Sequence, residues 1–199
     1  MRNTRKGRLK LSKPSLSAEK SAGKPEPGLT QGSAHAVLLA CGNSLRQDDG
    51  VGLEIAEVAE RMAGSRLRVV AVQQWTPELA EEIAGAELAI FVDASSEDEA
   101  GAIRVSQVFP PISAETGQEW GAPRAASETH SLEPAELLAL AEQVCGHAPA
   151  RAFAVTVGGE SFHYGEGISG TVRQAVPRAA RLVGNLVAAF ASGSERAAA

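Results

Sequence analysis

Leu38-Leu39-Ala40-Cys41-Gly42-Asn43-Ser44-Leu45-Arg46-Gln47-Asp48-Asp49-Gly50-Val51-Gly52 is the stretch whose reading decides the fold. It begins inside an apolar run, Ala36-Val37-Leu38-Leu39-Ala40-Cys41, that offers no polar face to water. Such a run predicts a central strand covered on both sides, as parallel strands of α/β sheets are. A glycine ends it, a short polar loop follows, and two acids come directly before a helical pattern over about 49–63. Val51, Ile55, Val58, Ala59 and Met62 fall on one face of that helix, Glu54, Glu57 and Glu60 fall elsewhere, and Gly64 stops it. A buried strand therefore delivers carboxylates to the edge of a sheet.

Outward from this unit the pattern repeats. A second strand over 67–73 leads through Trp75-Thr76-Pro77 into a short helix ending near Gly85. Thr76 is expected as its N-cap and Pro77 in its first position, with Leu79 and Ile83 facing inward. A third strand over 88–92 ends on Asp93. The connection from there to a fourth strand over 102–108 is too short for a crossover helix, so the fourth is expected to run antiparallel to the third. A long loop over 110–127 follows, of the kind that usually has a function or is mobile. Ser131 is then expected to cap a helix over 132–145, before a fifth strand over 151–157. The closing helix over 170–191 buries Val172, Val176, Ala179, Ala180, Val183 and Leu186, and Pro177 is expected to kink or restart it. The fold class is α/β, a three-layer α/β/α sandwich with a mixed, mainly parallel central sheet of about five strands.

The composition sets limits. A chain of 199 residues suits one such domain, and with only 4% aromatic residues its core must be built from Ala, Val, Leu and Ile. No apolar run approaches the roughly 18 residues of a membrane span. Cys41 and Cys145 are far apart and lie in apolar segments, so both read as buried reduced thiols, which implies the cytoplasm. Eight Lys and Arg stand against Glu19 and Glu26 before residue 34, leaving 11 of 19 basic and 22 of 24 acidic residues for the rest. An acidic body argues against a nucleic-acid-binding domain. Residues 1–34 read as a disordered basic tail without the apolar core of a secretory signal, 35–191 as the folded domain, and 192–199 as a disordered C-terminus.

In an open α/β sheet, ligands collect outside the carboxyl ends of the parallel strands. Asp48 and Asp49 follow the first strand, Asp93 ends the third, and His130 precedes the third helix. Two carboxylates and an imidazole suit a borderline divalent ion such as nickel, zinc, cobalt or manganese. The same residues have plainer uses. Asp48 and Asp49 complement the positive end of a helix dipole, Asp93 suits a turn, and His130 suits a solvated surface. His35, His147 and His163 read as loop histidines without a metal role. Gly159-Glu160-Ser161-Phe162-His163 lacks the last glycine of a nucleophile elbow, and neither a dinucleotide fingerprint, a Walker loop nor paired CxxC is present.

The string from Gly42 to Gly52 resembles the GNxLxxD[DE]GxG signature of the hydrogenase maturation protease family. Phe91-Val92-Asp93-Ala94 is similar to that family's second acidic motif, and Thr129-His130 before an apolar helix to its histidine motif. Gly165-Glu166-Gly167-Ile168-Ser169, with Val172 and Pro177 beyond it, resembles the family's carboxyl-terminal pattern. The resemblance runs over about 37–186. It implies an endopeptidase that removes a C-terminal extension from the large-subunit precursor of a nickel–iron hydrogenase once the metal centre is assembled. On that resemblance Asp49, Asp93 and His130 are both the catalytic residues and the ligands of nickel held by the substrate, with no separate nucleophile and no organic cofactor. Asp48, free of metal, is assigned to orienting water. The implied partner is the hydrogenase large-subunit precursor, with no nucleic acid or membrane contact, and the chain is expected to be a monomer or weak oligomer. Gln73-Gln74-Trp75-Thr76-Pro77-Glu78-Leu79 departs from the family, many of whose members carry an acidic, glycine-rich loop there associated with substrate discrimination. That departure leaves two other readings open: a metal-dependent hydrolase of an unrelated substrate, and a non-catalytic module that binds a metal-loaded partner.

Overall fold

The computed structural model describes residues 36–111 and 132–197. The expected tail, all but the start of the 110–127 loop, His130 and Ser131 lie outside the described residues. The chain forms β1 (Ala36–Cys41), α1 (Val51–Ala63), β2 (Leu67–Val72), α2 (Leu79–Ala84), β3 (Leu88–Ser95), β4 (Ile103–Gln107), α3 (Pro134–Cys145), β5 (Arg151–Gly158) and α4 (Gly170–Ala197). A 3-10 turn over Gln47–Gly50 leads directly into α1.

One five-stranded sheet carries the order β2-β1-β3-β5-β4. The first four strands in that order are mutually parallel, and β4 is antiparallel to β5. Period-two alternation divides each strand between two cores. Leu38, Ala40, Ile90, Val92, Val155 and Val157 pack under α1 and α4, with Ile55, Ala59, Val172, Val176 and Val183. Val37, Leu39, Cys41, Ala89 and Phe91 pack under α2 and α3, with Leu79, Ile83, Leu137 and Leu138. The three-layer arrangement and the mixed, mainly parallel sheet agree with the sequence expectation. Every residue of β1 is buried, as its unbroken apolar run requires. Among the described residues no helix is long and apolar enough to cross a membrane.

Two glycines explain why the 42–52 segment can fold so tightly. Gly42 has φ +156°, and a Cβ there would stand 2.2 Å from the Asp49 carbonyl oxygen. A Cβ on Gly52 would stand 2.2 Å from the Cys41 carbonyl oxygen and 3.2 Å from that of Val92. The start of α1 is thus pressed against the ends of β1 and β3, and only a hydrogen fits between backbone and backbone.

Several local expectations are corrected. β3 does not end at Asp93 but continues to Ser95, because Asp93, Ala94 and Ser95 pair with Thr156, Val157 and Gly158 of β5. β4 opposes β3 in direction as expected, yet its neighbour is β5, which inserts between them. Thr76-Pro77 does not cap α2; Leu79 and Ala80 donate to the carbonyls of Thr76 and Pro77, making a turn, and the helix starts at Leu79 with Glu78 as N-cap. α3 begins at Pro134, with Glu133 and Glu136 forming a reciprocal capping box where Ser131 was the expected cap. α4 runs unbroken through Pro177 and past its expected end at Ala191 to Ala197. Met62 stands 49% exposed at the rim of its helix, and Cys145 is only partly buried.

Gly52→Ala should lower the unfolding free energy by about 3 kcal/mol, because two fixed backbones must separate to admit the methyl. Gly85→Ala, at a helix end with open space around it, should be neutral or stabilising by up to about 1 kcal/mol. Paired urea titrations measure both, and equal midpoints for the two variants would contradict the packing argument.

Candidate functional site

Three segments meet at the carboxyl ends of the parallel strands: the loop after β1, the end of β3 and the loop after β5. The first and third are joined backbone to backbone. Gln47 N–H donates to the Gly165 carbonyl at 3.0 Å, Gly165 N–H to the Leu45 carbonyl at 2.9 Å, and Asp48 N–H to the Ser161 carbonyl at 3.0 Å. The Arg46 guanidinium adds two 3.3 Å hydrogen bonds to the Phe162 carbonyl. Gln47 adopts φ +49°, which turns the chain so that adjacent acids face different ways.

Asp48 faces in. It is fully buried, and its carboxylate accepts the backbone N–H groups of Glu160 at 2.8 Å, Ser161 at 3.0 Å and Ser169 at 2.5 Å. The Ser169 hydroxyl also donates to it and in turn accepts Val172 N–H at 3.4 Å, capping α4. Burial works to raise the Asp48 pKa, but the bonds from Ser169, Glu160 and Ser161 together bring it below the ordinary carboxylate value. This contradicts a water-orienting role, since the oxygens are occupied by the protein itself.

Asp49 is partly exposed, and its Oδ2 accepts Asn43 N–H at 3.1 Å. Asp93, one strand away, accepts its neighbour Ala94 N–H at 2.8 Å. Burial raises the Asp93 carboxyl, and the Ala94 bond lowers it. The negative charge of Asp49 raises it again, hydrogen bonds from the Cys41 thiol and the Trp75 indole lower it, and the result is about 6. The Cys41 thiol is pushed up to about 12 by burial and then by the charges of Asp93 and Asp49, so it stays protonated and is no nucleophile. Asp49 and Asp93 are therefore brought together as two mutually repelling carboxylates, one of them costly to ionise. A cation beside them would offset the repulsion that Asp93 meets from Asp49.

His130 lies outside the described residues. Leu132, two residues later, donates its N–H to the Trp75 carbonyl at 3.3 Å. Among the described residues no group of three or more His, Cys, Asp or Glu side chains is placed to hold a metal ion. His147 and His163 are exposed, as expected. Sequence reasoning did not find Trp75 or Ser169 at the site. Ser169 was detectable as a serine directly before a helix. Trp75 carried no chemical signal, because nothing local says that its ring turns back over the sheet.

The two acids should give opposite pH signatures. Asp48 has a depressed folded pKa, so its contribution is present above the unfolded value and is lost as pH falls through the folded one. Asp48→Asn should cost on the order of 3 kcal/mol at pH 7, and the deficit should shrink below about pH 4. Asp93 has a raised folded pKa, so its ionisation weakens the fold as pH rises from 3.8 towards about 6. The stability of Asp93→Asn relative to the parent should therefore improve between pH 4 and pH 7. Thermal midpoints across that range check both, and parallel curves for the two variants would refute the assignment.

No protein-family model matches the chain, and no curated protein matches it in sequence. Solved structures do. The hydrogenase maturating endopeptidase HybD from E. coli matches with a TM-score of 0.58 and 22% identity, over 80% of this chain and 94% of that one. The [NiFe] hydrogenase maturation protease HycI from Thermococcus kodakarensis matches with a TM-score of 0.59 and 19% identity, over 79% and 94%. A hydrogenase 2 maturation peptidase from a Thaumarchaeota archaeon matches with a TM-score of 0.52 and 21% identity, over 77% and 98%. At these identities the likeness establishes architecture: this chain has the fold seen in the hydrogenase maturation endopeptidases.

Proposed function

We propose that the chain is a metal-dependent endopeptidase that removes a C-terminal extension from a nickel–iron hydrogenase large-subunit precursor. The observation that carries this reading is the pairing of Asp49 with Asp93 at the carboxyl edge of β1 and β3, in a fold shared with maturation endopeptidases. The donor chemistry fits nickel as cargo of the substrate. Two carboxylates are an incomplete ligand set for a resident ion but suit one that arrives with ligands of its own. His130 supplies the third donor. It lies outside the described residues and is assigned on the resemblance of Thr129-His130 to the family's histidine motif.

In this reading Asp49 and Asp93 bind the loaded precursor through the charge that their mutual repulsion leaves unsatisfied. The rigid loops over 43–48 and 158–169 hold the cleavage segment against them. A metal in that place supplies Lewis-acid polarisation of a carbonyl or activation of a water. The protein contributes orientation.

Intact-mass analysis of purified protein mixed with nickel-loaded precursor, with nickel-free precursor as control, tests the reading. A C-terminal peptide should be lost from the loaded form only. Asp49→Ala, Asp93→Ala and His130→Ala should each slow the loss by on the order of 100-fold, or about 2.7 kcal/mol. Processing at the parent rate by these variants would refute the assignment, and a stable complex without cleavage would replace the protease with a binding module.

A further inference from the structure

β4 closes one side of the sheet, and among the described residues its strand partner is β5 alone. Val108 N–H donates to the Ala152 carbonyl and Gly158 N–H to the Ala102 carbonyl, both at 2.9 Å. In an antiparallel ladder such bonds recur at every second residue, so Arg104 and Ser106 turn their peptide groups towards β5. The N–H and carbonyl groups of Ile103, Val105 and Gln107 therefore point outward. The side chains of these residues share one face. Ile103 packs against the core beneath α1 and α4, which makes it the face under α4. There a groove of about 400 Å³ lies between strand and helix, lined by Ile103, Arg178, Arg181, Leu182 and Asn185.

Arg178 and Arg181 are exposed and make no ion pair with a described residue. They stand about one helical turn apart, so their charges add. After residue 33 the chain carries 22 acidic and 11 basic residues, and the groove is a local reversal of that sign. Glu97, Asp98 and Glu99 precede β4 and do not line it; Asp98 is paired with Arg104. We propose that the β4 edge and this groove form a docking site for an extended acidic peptide of a partner protein, which adds to the sheet as a sixth strand. Its backbone pairs with the outward groups of Ile103, Val105 and Gln107, and every second side chain points into the groove. Glutamate or aspartate at those positions meets the two guanidiniums. A second copy of the chain is a poorer occupant. Twofold pairing of two β4 strands keeps both α4 helices on one side of the joined sheet and brings four like charges to the seam.

Fluorescence anisotropy of the full chain with a labelled peptide that alternates glutamate and valine tests this. Binding should be micromolar and should weaken as salt is raised. A peptide with lysine in place of glutamate should bind about tenfold more weakly, and so should the glutamate peptide to the Arg178→Glu, Arg181→Glu double variant. Val105→Pro removes an outward N–H and spares the β5 ladder, a place where edge strands tolerate proline. It should abolish binding with the thermal midpoint nearly unchanged. If that variant does not fold, the glutamate peptide methylated at alternate backbone nitrogens makes the same test on the parent: methylation of one alternate set should abolish binding, and of the other set should spare it. Affinity unmoved by the arginine reversals, or by blocking either set of backbone donors, overturns the proposal, as does a parent that binds neither peptide. Sedimentation that shows a dimer of the parent, lost in Val105→Pro, gives the edge to a second copy and overturns it as well.

Discussion

The buried carboxylate of Asp48 is the constraint on which the site depends. β1 and β5 are not neighbours, since β3 lies between them, yet the loops that follow them are locked together by this side chain along with the backbone bonds of Leu45, Gln47 and Asp48. Its oxygens collect N–H groups from Glu160, Ser161 and Ser169, so a ring of hydrogen bonds closes over the end of β3. An isolated ion in a protein interior costs several kcal/mol even after relaxation. Among the described residues no basic partner offsets that cost. The offset comes from backbone donors and from position: Asp48 sits in the turn leading into α1 and against the first turn of α4, where two helix dipoles favour negative charge.

Beside this acid stand two that each accept a single backbone N–H. Asp49 keeps part of its surface in solvent, and Asp93 is ionised only at a cost. The contrast between neighbouring carboxylates is the physical signature of a working edge in an otherwise well-paired protein. Stability is concentrated in Asp48, in the glycine contacts of the 42–52 turn and in the two aliphatic cores. Strain is concentrated in the pair that faces outward. The sheet makes that division possible, because parallel strands end together and present their C-terminal side chains on one line.

Much of this was legible in the chain. The unbroken apolar run of β1 announced a central strand, and the alternation of β3 and β5 with helical segments announced three layers. The neighbour of β4 was not legible, because a short connection dictates direction and says nothing about a later strand inserting between the two. Helix starts were misread where a proline or serine looked like a capping signal and the backbone chose a turn or a Glu133–Glu136 box instead. The site was half legible. Two adjacent acids after a strand mark an edge, but which acid turns inward depends on Gln47 at φ +49° and on partners more than a hundred residues away. Trp75 was invisible for the same reason: it meets Phe91 and Leu132, both distant in sequence.

The incompleteness of the Asp49–Asp93 pair bears on selectivity in the proposed reading. A closed ligand set would hold a metal regardless of the state of the substrate and could not report on it. An open pair with a charge deficit interacts differently with a loaded and an empty precursor, and specificity is that difference. Burial first, and the charge of Asp49 in smaller part, move the Asp93 carboxyl from 3.8 to about 6. A cation that arrives with the precursor offsets the repulsive part of that cost, whereas an empty precursor leaves it in place. In the proposed reading, the electrostatic cost at the edge of the sheet is what would let the chain tell a metal-loaded precursor from an empty one.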